Sequence, residues 1–251
     1  MTIEKMIITD LDGTFVKDSR KVASIDQQSL LDLKETMQVG IATGRSIKEI
    51  EFIEEQTGIK ADVKIGFNGA VVEVGGERIF EQTISKDSLE PILAYIQEKE
   101  LVFDALDGDQ RIGTHKSEDI ERLWNMQLVE PEGLFELLQQ KKIFKINIRP
   151  DADKSDQLLE DLSVRFPDLA ICKSGEKRIE ITPKNITKGH ALEIVRQHKD
   201  LQIFSVGDSE NDISMFQTSN YSFCMSHASA QVKQYASTVI NNFYEVKKLI
   251  A

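Results

Sequence analysis

The chain has 251 residues, of which 40% are hydrophobic and 29% are charged, and its formal net charge is −11. This composition is typical of a globular protein with one large domain or two modest ones. The acidic balance excludes a nucleic-acid groove or a polybasic membrane surface as the main function. Any anionic substrate must therefore be attracted by local cations.

Strands and helices alternate along the first third of the chain. Apolar runs predict strands over residues 6–9, 38–42 and 63–67, with a helix over 26–35. Ser46, followed three residues later by Glu49, predicts a capping box at the start of another helix.

The middle of the chain has the pattern of paired strands. Gly75 and Gly76 predict a tight hairpin turn between strands over 70–74 and 78–82. Helices are then predicted among strands over 101–106, 111–115, 143–149, 169–173 and 178–182, with the last two joined through residues 174–177. One or two of these helices are expected between residues 116 and 142. Short links between strands predict an antiparallel sheet with helices on one side.

Alternation returns in the last quarter, which predicts a parallel sheet covered by helices. Helices are expected from residues 191, 211 and 228, and strands over 203–206, 221–225 and 237–240. We therefore predict an α/β fold with a Rossmann-like parallel-sheet core, residues 1–82 and 187–251. An inserted α+β cap, residues 83–186, should contain the antiparallel sheet and act as a separately packed lid that selects the substrate.

No apolar run reaches the length of a membrane span, and the first residues lead directly into a predicted strand. Two cysteines, Cys172 and Cys224, do not make a metal site or a disulfide framework. We expect a cytoplasmic protein with reduced thiols and without nucleic-acid or membrane partners.

Polar groups follow the predicted core strands, where ligands of open parallel sheets bind. The first strand ends in Asp10 and Asp12, which period two places on one side, so that one cation or one reacting group could use both. The other groups are Thr43-Gly44-Arg45, Thr187-Lys188-Gly189 and Gly207-Asp208 with Asn211-Asp212. Each alone could be an ordinary turn, a solvated lysine or a helix cap. Together they supply acids, a hydroxyl and a lysine that the fold would bring together.

These residues resemble the four motifs of the haloacid dehalogenase superfamily. The matching segments are Asp10-Leu11-Asp12-Gly13-Thr14, Thr43-Gly44-Arg45, Lys188 and Gly207-Asp208-Ser209-Glu210-Asn211-Asp212. Their spacing, the mid-chain cap and Asn68-Gly69-Ala70 resemble the Cof-type phosphatases of that superfamily. The chain departs from the pattern at residues 225–228 and 241–245, and these departures concern the substrate contacts more than the chemistry.

The resemblance implies a magnesium-dependent phosphatase that acts on a small phosphorylated metabolite, such as a sugar phosphate. Asp10 would attack phosphorus and form an aspartyl-phosphate, and Asp12 would protonate the leaving oxygen. Magnesium would be held by the carboxylates of Asp10 and Asp208 and by the carbonyl of Asp12.

The resemblance also implies how the phosphoryl group is bound. Thr43, Lys188 and the amides near Leu11 and Gly44 would contact it, and Asn211 would orient the nucleophile or the phosphate. Further candidates are Arg45, Asn68 and Asp212. The last would be either a group behind the metal ligands or a helix cap.

Two alternatives remain open at this stage. One is a phosphomutase on the same scaffold, in which a bound phosphosugar accepts the phosphoryl group in place of water. The other is a catalytically weak protein that senses a phosphorylated ligand, against which the presence of both Asp10 and Asp12 argues. In the predicted cap, Lys145, Arg149 and Arg178 could meet an anionic group, but the strand pattern favours solvated positions for them.

Overall fold

The computed structural model describes residues 4–117, 119–173 and 177–250, so that most of the predicted link over 174–177 lies outside the described residues. The chain forms two compact units, Met1–Glu81 with Thr187–Ala251, and Gln82–Ile186. The helices in the described part of the chain are all too short or too polar to span a bilayer.

The elements are numbered in chain order. The N-terminal part of the first unit contains β1 (Glu4–Thr9), α1 (Ser24–Lys34), β2 (Gln38–Ala42), α2 (Ile47–Thr57), β3 (Val63–Gly66), β4 (Val71–Val74) and β5 (Glu77–Glu81). The second unit contains α3 (Lys86–Glu98), β6 (Phe103–Leu106), β7 (Gln110–Gly113), β8 (Gln127–Val129), α4 (Leu134–Gln140), β9 (Lys145–Ile148), α5 (Ser155–Arg165), β10 (Leu169–Lys173) and β11 (Ile179–Pro183). The C-terminal part of the first unit contains α6 (Lys188–His198), β12 (Leu201–Gly207), α7 (Ile213–Thr218), β13 (Tyr221–Met225), α8 (Ala230–Lys233), β14 (Thr238–Ile240) and α9 (Val246–Ile250).

The first unit is built on an eight-stranded sheet with the order β14-β13-β12-β1-β2-β3-β4-β5. All neighbours from β14 to β3 are parallel, which confirms the predicted parallel sheet. The predicted hairpin adds β4 and β5 as antiparallel strands at one edge. Its turn residues Gly75 and Gly76 have φ of 59° and 86°, as a two-residue hairpin turn requires.

Strand β1 lies in the middle of this sheet, and both of its faces are covered. Met6, Ile7 and Ile8 are all 0% exposed, because helices pack on both sides of a parallel sheet. A buried strand of this kind holds the residue that follows it, Asp10, in a fixed position at its carboxyl end.

The second unit contains a six-stranded sheet with the order β10-β11-β9-β6-β7-β8. The sheet is antiparallel, as predicted, except for the parallel pair β7–β8. Helices α3, α4 and α5 supply Leu89, Leu138 and Leu162 to an apolar cluster with strand residues such as Phe103 and Ile146.

Two elements differ from the sequence prediction. Strand β8 replaces part of the helical region expected over residues 116–142, because Trp124 and Asn125 have φ of 43° and 64° and interrupt any helix there. Helix α9 at the C-terminus was not predicted, since its five residues are too few to show a helical period.

Candidate active site

The candidate site lies in the first unit, where the order of strands in the sheet reverses. The chain passes from β1 outward to β2 and β3 on one side, and from β12 outward to β13 and β14 on the other. Asp10 follows β1 and Asp208 follows β12, and the two strands are hydrogen-bonded neighbours. Ligands of open parallel sheets bind beyond the carboxyl ends of strands at such a reversal.

Lys188 provides a buried positive charge at this point. Its side chain is 0% exposed, and its Nζ donates to Oδ1 of Asp10 and to Oδ1 of Asp212, both at 2.6 Å. Burial lowers the pKa of Lys188, but Asp10 and Asp212 outweigh burial and raise the pKa above its ordinary value. Lys188 is therefore a permanent cation in the neutral range.

Asp10, Asp208 and Asp212 form a cluster of carboxylates, each with an oxygen atom within 4.8 Å of the others. Burial raises the pKa of Asp10 well above its usual value; Lys188 lowers it, and Asp212 and Asp208 raise it further. Lys188 contacts two of these three acids, Asp10 and Asp212, so the cluster has more carboxylates than buried lysines and favours additional positive charge. Carboxylate oxygens are the ligands that a hard divalent cation prefers.

Asp208 is oriented by two side chains. Thr14 Oγ1 donates to Oδ1 of Asp208 at 2.8 Å, and Nε2 of His227 lies 3.2 Å from Oδ2. Burial and Asp212 raise the pKa of Asp208, while the contacts with Thr14 and His227 lower it. These two contacts hold the Asp208 carboxylate in place near Asp10.

Gly13 lets the loop after β1 pass next to Asp208. Its φ is 86°, and a Cβ added there would lie 2.4 Å from Oδ2 of Asp208. Any side chain at this position would both strain the backbone and displace the carboxylate.

Asp212 acts as a support inside the cluster. Its Oδ1 accepts the bond from Lys188, and its Oδ2 accepts bonds from the backbone N–H groups of Asp208 and Ser209 at 2.9 and 3.0 Å. A Cβ on Gly207 would lie 2.5 Å from the Asp212 carboxyl carbon. With both oxygens engaged, Asp212 is suited to position Lys188 and the loop that carries Asp208.

The Asp12 carboxylate does not join the cluster but pairs with Arg45. Arg45 Nε donates to Oδ2 of Asp12 at 2.6 Å, and Arg45 Nη2 donates to Oδ1 of Asp12 at 2.8 Å. The two hydrogen bonds make a bidentate ion pair. Burial lowers the pKa of Arg45, but Asp12 and Glu49 outweigh it and raise the pKa. Asp12 is thus held beside the cluster in one orientation.

Glu49 holds Arg45 in turn. Its Oε1 accepts from Arg45 Nη1 at 2.9 Å, and its Oε2 accepts from the N–H and hydroxyl of Ser46, both at 2.9 Å. Ser46 and Glu49 form the predicted capping box at the start of α2. The cap therefore fixes the arginine that contacts Asp12.

The remaining predicted residues lie around these groups. Asn211 Nδ2 donates to Oδ1 of Asn68 at 3.0 Å, and Asn68 has a φ of 58° in the turn after β3. The Oδ1 of Asn211 is buried without a hydrogen-bond partner among the described residues. Thr43 directly follows β2, the strand that pairs with β1. Its Oγ1 accepts a hydrogen bond from the N–H of Arg45 at 3.2 Å.

Leu11 and Gly44 carry the backbone amides expected to bind phosphate. Leu11 is 0% exposed, and its carbonyl accepts from the N–H of Val16 at 2.7 Å, which closes the loop after β1. Gly44 is half-buried and lies between Thr43 and Arg45, directly before the capped helix.

Three residues that contact the site had no such role assigned from the sequence. Thr14 was part of the first motif without a role, Glu49 was predicted only as a helix cap, and His227 stood in a segment that departs from the family pattern. Arg45 and Glu49 are four residues apart at the start of the predicted helix, a spacing that could have indicated their ion pair. Nothing local to His227 indicates that it reaches Asp208.

The chain is similar to known proteins over nearly its whole length. The family model of haloacid dehalogenase-like hydrolases matches residues 7–246. The phosphatase YwpJ of Bacillus subtilis is 23% identical, over 94% of each chain. The 5-amino-6-(5-phospho-D-ribitylamino)uracil phosphatase YwtE of Bacillus subtilis is also 23% identical, over 94% of this chain and 92% of its own. The crystal structure of TM0651 from Thermotoga maritima, 27% identical, superposes with a TM-score of 0.85 over 99% of this chain and 98% of its own.

Proposed function

This chain belongs to the haloacid dehalogenase-like hydrolases and is a phosphatase of that family, and we propose that it hydrolyses small phosphomonoesters with magnesium and a covalent aspartyl-phosphate. The observation that carries the proposal is the buried group of Lys188, Asp10 and Asp208 at the reversal of the sheet. A sugar phosphate or a similar ester is the substrate class we favour, since the relative YwtE is named for the phosphate of a ribityl chain.

In the first step an Asp10 oxygen forms a bond to phosphorus, and the bond from phosphorus to the leaving oxygen breaks. Lys188 already contacts Asp10 at 2.6 Å, so a cation faces the charge that develops on the transferring phosphoryl group. In the second step a water molecule attacks the same phosphorus, which releases phosphate and regenerates Asp10.

Asp12 would move the proton in both steps. It gives a proton to the leaving oxygen in the first step and takes one from the attacking water in the second. The contact with Arg45 orients the Asp12 carboxylate in the described structure. The contact of Arg45 with Glu49 holds this arginine in place beside Asp12.

Mg²⁺ fits the oxygen donors of this cluster, and Asp10 and Asp208 with the carbonyl of Asp12 would hold it. When bound, the ion neutralises the carboxylates and the phosphoryl oxygens. Thr43, Asn211 and the amides of Leu11 and Gly44 would bind the phosphoryl oxygens. We infer a cytoplasmic location, for which the low number of cysteines, two in 251 residues, gives support.

Replacement of Asp10 by Asn tests the proposal. The variant keeps the shape of the side chain but removes the nucleophile, so we expect the release of phosphate from p-nitrophenyl phosphate to fall by orders of magnitude. Asp32→Asn is a matched control, because Asp32 lies on α1 and pairs with the surface residue Lys247. Circular dichroism should show both variants folded.

Three results would contradict parts of the proposal. Unchanged turnover by Asp10→Asn would exclude Asp10 as nucleophile. Full activity of the wild-type chain after removal of divalent metal with EDTA would exclude the magnesium requirement. Transfer of the phosphoryl group to a sugar, with no release of inorganic phosphate, would identify a phosphomutase.

A further inference from the structure

The turn that follows β3 in the first unit has an unusual backbone. Phe67, Asn68 and Gly69 have φ of 50°, 58° and 115°, so three consecutive residues have a positive φ. Such a φ is uncommon for residues other than glycine, and it is an outlier for a bulky side chain such as that of Phe67. All three residues are buried. Strained backbone persists only where the surrounding structure holds it, and it is concentrated at functional sites.

One side of this turn is held by the segment after β2. The N–H of Phe67 donates to the carbonyl of Arg45 at 2.8 Å, and the N–H of Asn68 donates to the carbonyl of Thr43 at 2.9 Å. These are backbone contacts, so they fix the turn whatever the side chains of the segment do. The turn therefore has a fixed place beside Thr43, one of the groups proposed to bind the phosphoryl oxygens.

The other side of the turn lies against the start of α6. Thr187 is the N-cap of this helix and Lys188 is its first residue. A Cβ added to Gly69 would lie 2.4 Å from the carbonyl oxygen of Thr187, and φ of Gly69 is 115°. Only glycine permits so close an approach. The strained turn is thus enclosed between two segments that carry candidate catalytic residues.

The side chain of Asn68 reaches a third segment of the site. Its Oδ1 accepts a hydrogen bond from Nδ2 of Asn211 at 3.0 Å, and the side chain is 8% exposed. The Oδ1 of Asn211 is buried and has no hydrogen-bond partner among the described residues. The orientation of the Asn211 amide is therefore set through its nitrogen, by the contact with Asn68.

This orientation matters for the binding of an anion. The nitrogen of an asparagine side chain carries two hydrogens, whereas its oxygen only accepts hydrogen bonds. With one hydrogen donated to Asn68, Nδ2 of Asn211 keeps a second hydrogen that can be donated to a phosphoryl oxygen. If the amide turned by 180°, its Oδ1 would take the place of the nitrogen, and an oxygen acceptor repels a phosphoryl oxygen.

We propose that Asn68 is a positioning residue for phosphoryl binding, which accepts a hydrogen bond from Asn211 and so keeps the nitrogen of the Asn211 amide available to the phosphoryl group. The positive φ of residues 67–69 places the Asn68 side chain for this contact. The inference rests on the proposed function, since it assigns Asn68 a role through the binding of the phosphoryl group by Asn211.

A double-mutant cycle tests the contact. Asn68→Gly removes the side-chain carbonyl and retains the backbone, because glycine adopts a positive φ readily. We expect it to lower kcat/KM for p-nitrophenyl phosphate by about ten- to a hundredfold, since small misplacements of groups that bind the reacting atoms are costly. In the Asn211→Ala background the same change should cost less than about twofold, because no amide is left to orient.

Asn125→Gly is the matched control for the cycle. Asn125 has a φ of 64° and is exposed in the second unit, so this change removes the same side chain from the same kind of backbone. It should keep the wild-type kcat/KM. An equal loss from Asn68→Gly with and without Asn211, or no loss in either background, would overturn the inference.

Nuclear magnetic resonance of the wild-type chain provides a test that needs no change at position 68. The side-chain N–H signals of Asn211 can be assigned by their disappearance in Asn211→Ala. Their order parameter should be near the value for rigid backbone, about 0.85, and should fall below about 0.6 in Asn68→Gly. A mobile Asn211 amide in the wild-type chain would overturn the inference even if Asn68→Gly does not fold.

Binding of inorganic phosphate separates this inference from the proposed function. Calorimetry with magnesium present should give a Kd about tenfold or more higher for Asn68→Gly than for the wild type, and no such difference in the Asn211→Ala background. This pattern with no hydrolysis of esters by the wild-type chain would refute the phosphatase reaction and leave the role of Asn68 intact. Hydrolysis with an equal Kd and an equal kcat/KM for the wild type and Asn68→Gly would overturn the inference alone. A wild-type chain that neither binds phosphate nor hydrolyses esters would overturn both.

Discussion

Lys188 determines the balance of charge at the candidate site. It is buried, and it lies 2.6 Å from an oxygen of Asp10 and from an oxygen of Asp212. A buried ion pair contributes little net stability compared with apolar residues, but removal of one partner leaves an uncompensated charge. In this cluster, the loss of the lysine would leave three neighbouring carboxylates with no buried cation in direct contact with Asp10.

We therefore expect Lys188→Met to lower the free energy of unfolding by about 3–5 kcal/mol at pH 8 in EDTA. Denaturation by urea measures this loss, with Lys247→Met as control. Lys247 is 51% exposed and pairs with Asp32 at the surface, where ion pairs contribute little. A loss no larger than that of the control would mean that Lys188 does not compensate the cluster.

The loss should also depend on pH. Burial and the neighbouring acids raise the pKa of Asp10 in the folded protein, and without Lys188 the pKa would be higher still. An acid whose folded pKa exceeds its unfolded pKa binds protons more readily when folded, so stability increases as the pH falls. The deficit of Lys188→Met should accordingly shrink between pH 8 and pH 5.

Asp12 can be tested by the choice of leaving group. A placed general acid is typically worth about 10²–10⁴-fold, so Asp12→Asn should lose roughly this factor on an alkyl phosphate. The loss should be smaller on p-nitrophenyl phosphate, whose leaving oxygen hardly needs a proton. Equal losses of kcat on both substrates would show that Asp12 only pairs with Arg45 or supports the metal.

At the scale of elements, the start of α2 connects helix capping to the site. Ser46 and Glu49 cap the helix, Glu49 contacts Arg45, and Arg45 contacts Asp12. Both Ser46 and Glu49 are 0% exposed. Loss of the cap should therefore destabilise the helix and also displace Asp12, because Glu49 and Arg45 connect the cap to Asp12.

A pair of serine variants separates these two effects. Ser46→Ala and Ser85→Ala each remove the N-cap side chain of a helix, α2 and α3 respectively, at a cost of about 0.5–2 kcal/mol of stability. Only Ser46→Ala should also lower kcat, by up to about a hundredfold, because small misplacements of catalytic groups are expensive. Equal kcat for the two variants would show that the cap does not position Asp12.

Most strands of the two sheets could be predicted from the local sequence pattern, whereas the partners of side chains could not. A few neighbouring residues were enough to predict the apolar strand β1, the hairpin at Gly75 and Gly76, and the capping box at Ser46. The structure confirms all three predictions. The pairing of His227 with Asp208 joins segments 19 residues apart, and no periodicity reports such contacts. The expectation of a solvated position was wrong for Lys145, which is 5% exposed, because its burial depends likewise on neighbouring strands that a single strand pattern does not contain.

At the scale of the whole molecule, the candidate catalytic residues all belong to the first unit. Asp10 and Lys188 are 178 positions apart in sequence and in hydrogen-bond contact in space. The second unit, Gln82–Ile186, has its own sheet and its own apolar cluster. This division supports the proposal that one unit performs the chemistry and the other selects the substrate.

Exchange of residues 82–186 for the corresponding segment of a related phosphatase tests that division. We expect the chimera to hydrolyse a different set of metabolites, because binding contacts away from the reacting atoms discriminate among substrates. Its activity should still be abolished by Asp10→Asn and by EDTA. A folded chimera with the original order of substrate preference would contradict the assignment of selectivity to the second unit.

The central place of β1 has a consequence for synthesis on the ribosome. Strand β1 pairs with β2 on one side, but its other neighbour, β12, begins at Leu201. Leu201 is 192 positions after Thr9, the last residue of β1, so at about 5–20 residues per second the edge of β1 lacks that partner for roughly 10 to 40 seconds during synthesis. The nascent chain therefore exposes an apolar strand edge, and a ribosome that stalls within the insert would leave a fragment that needs a chaperone to escape aggregation.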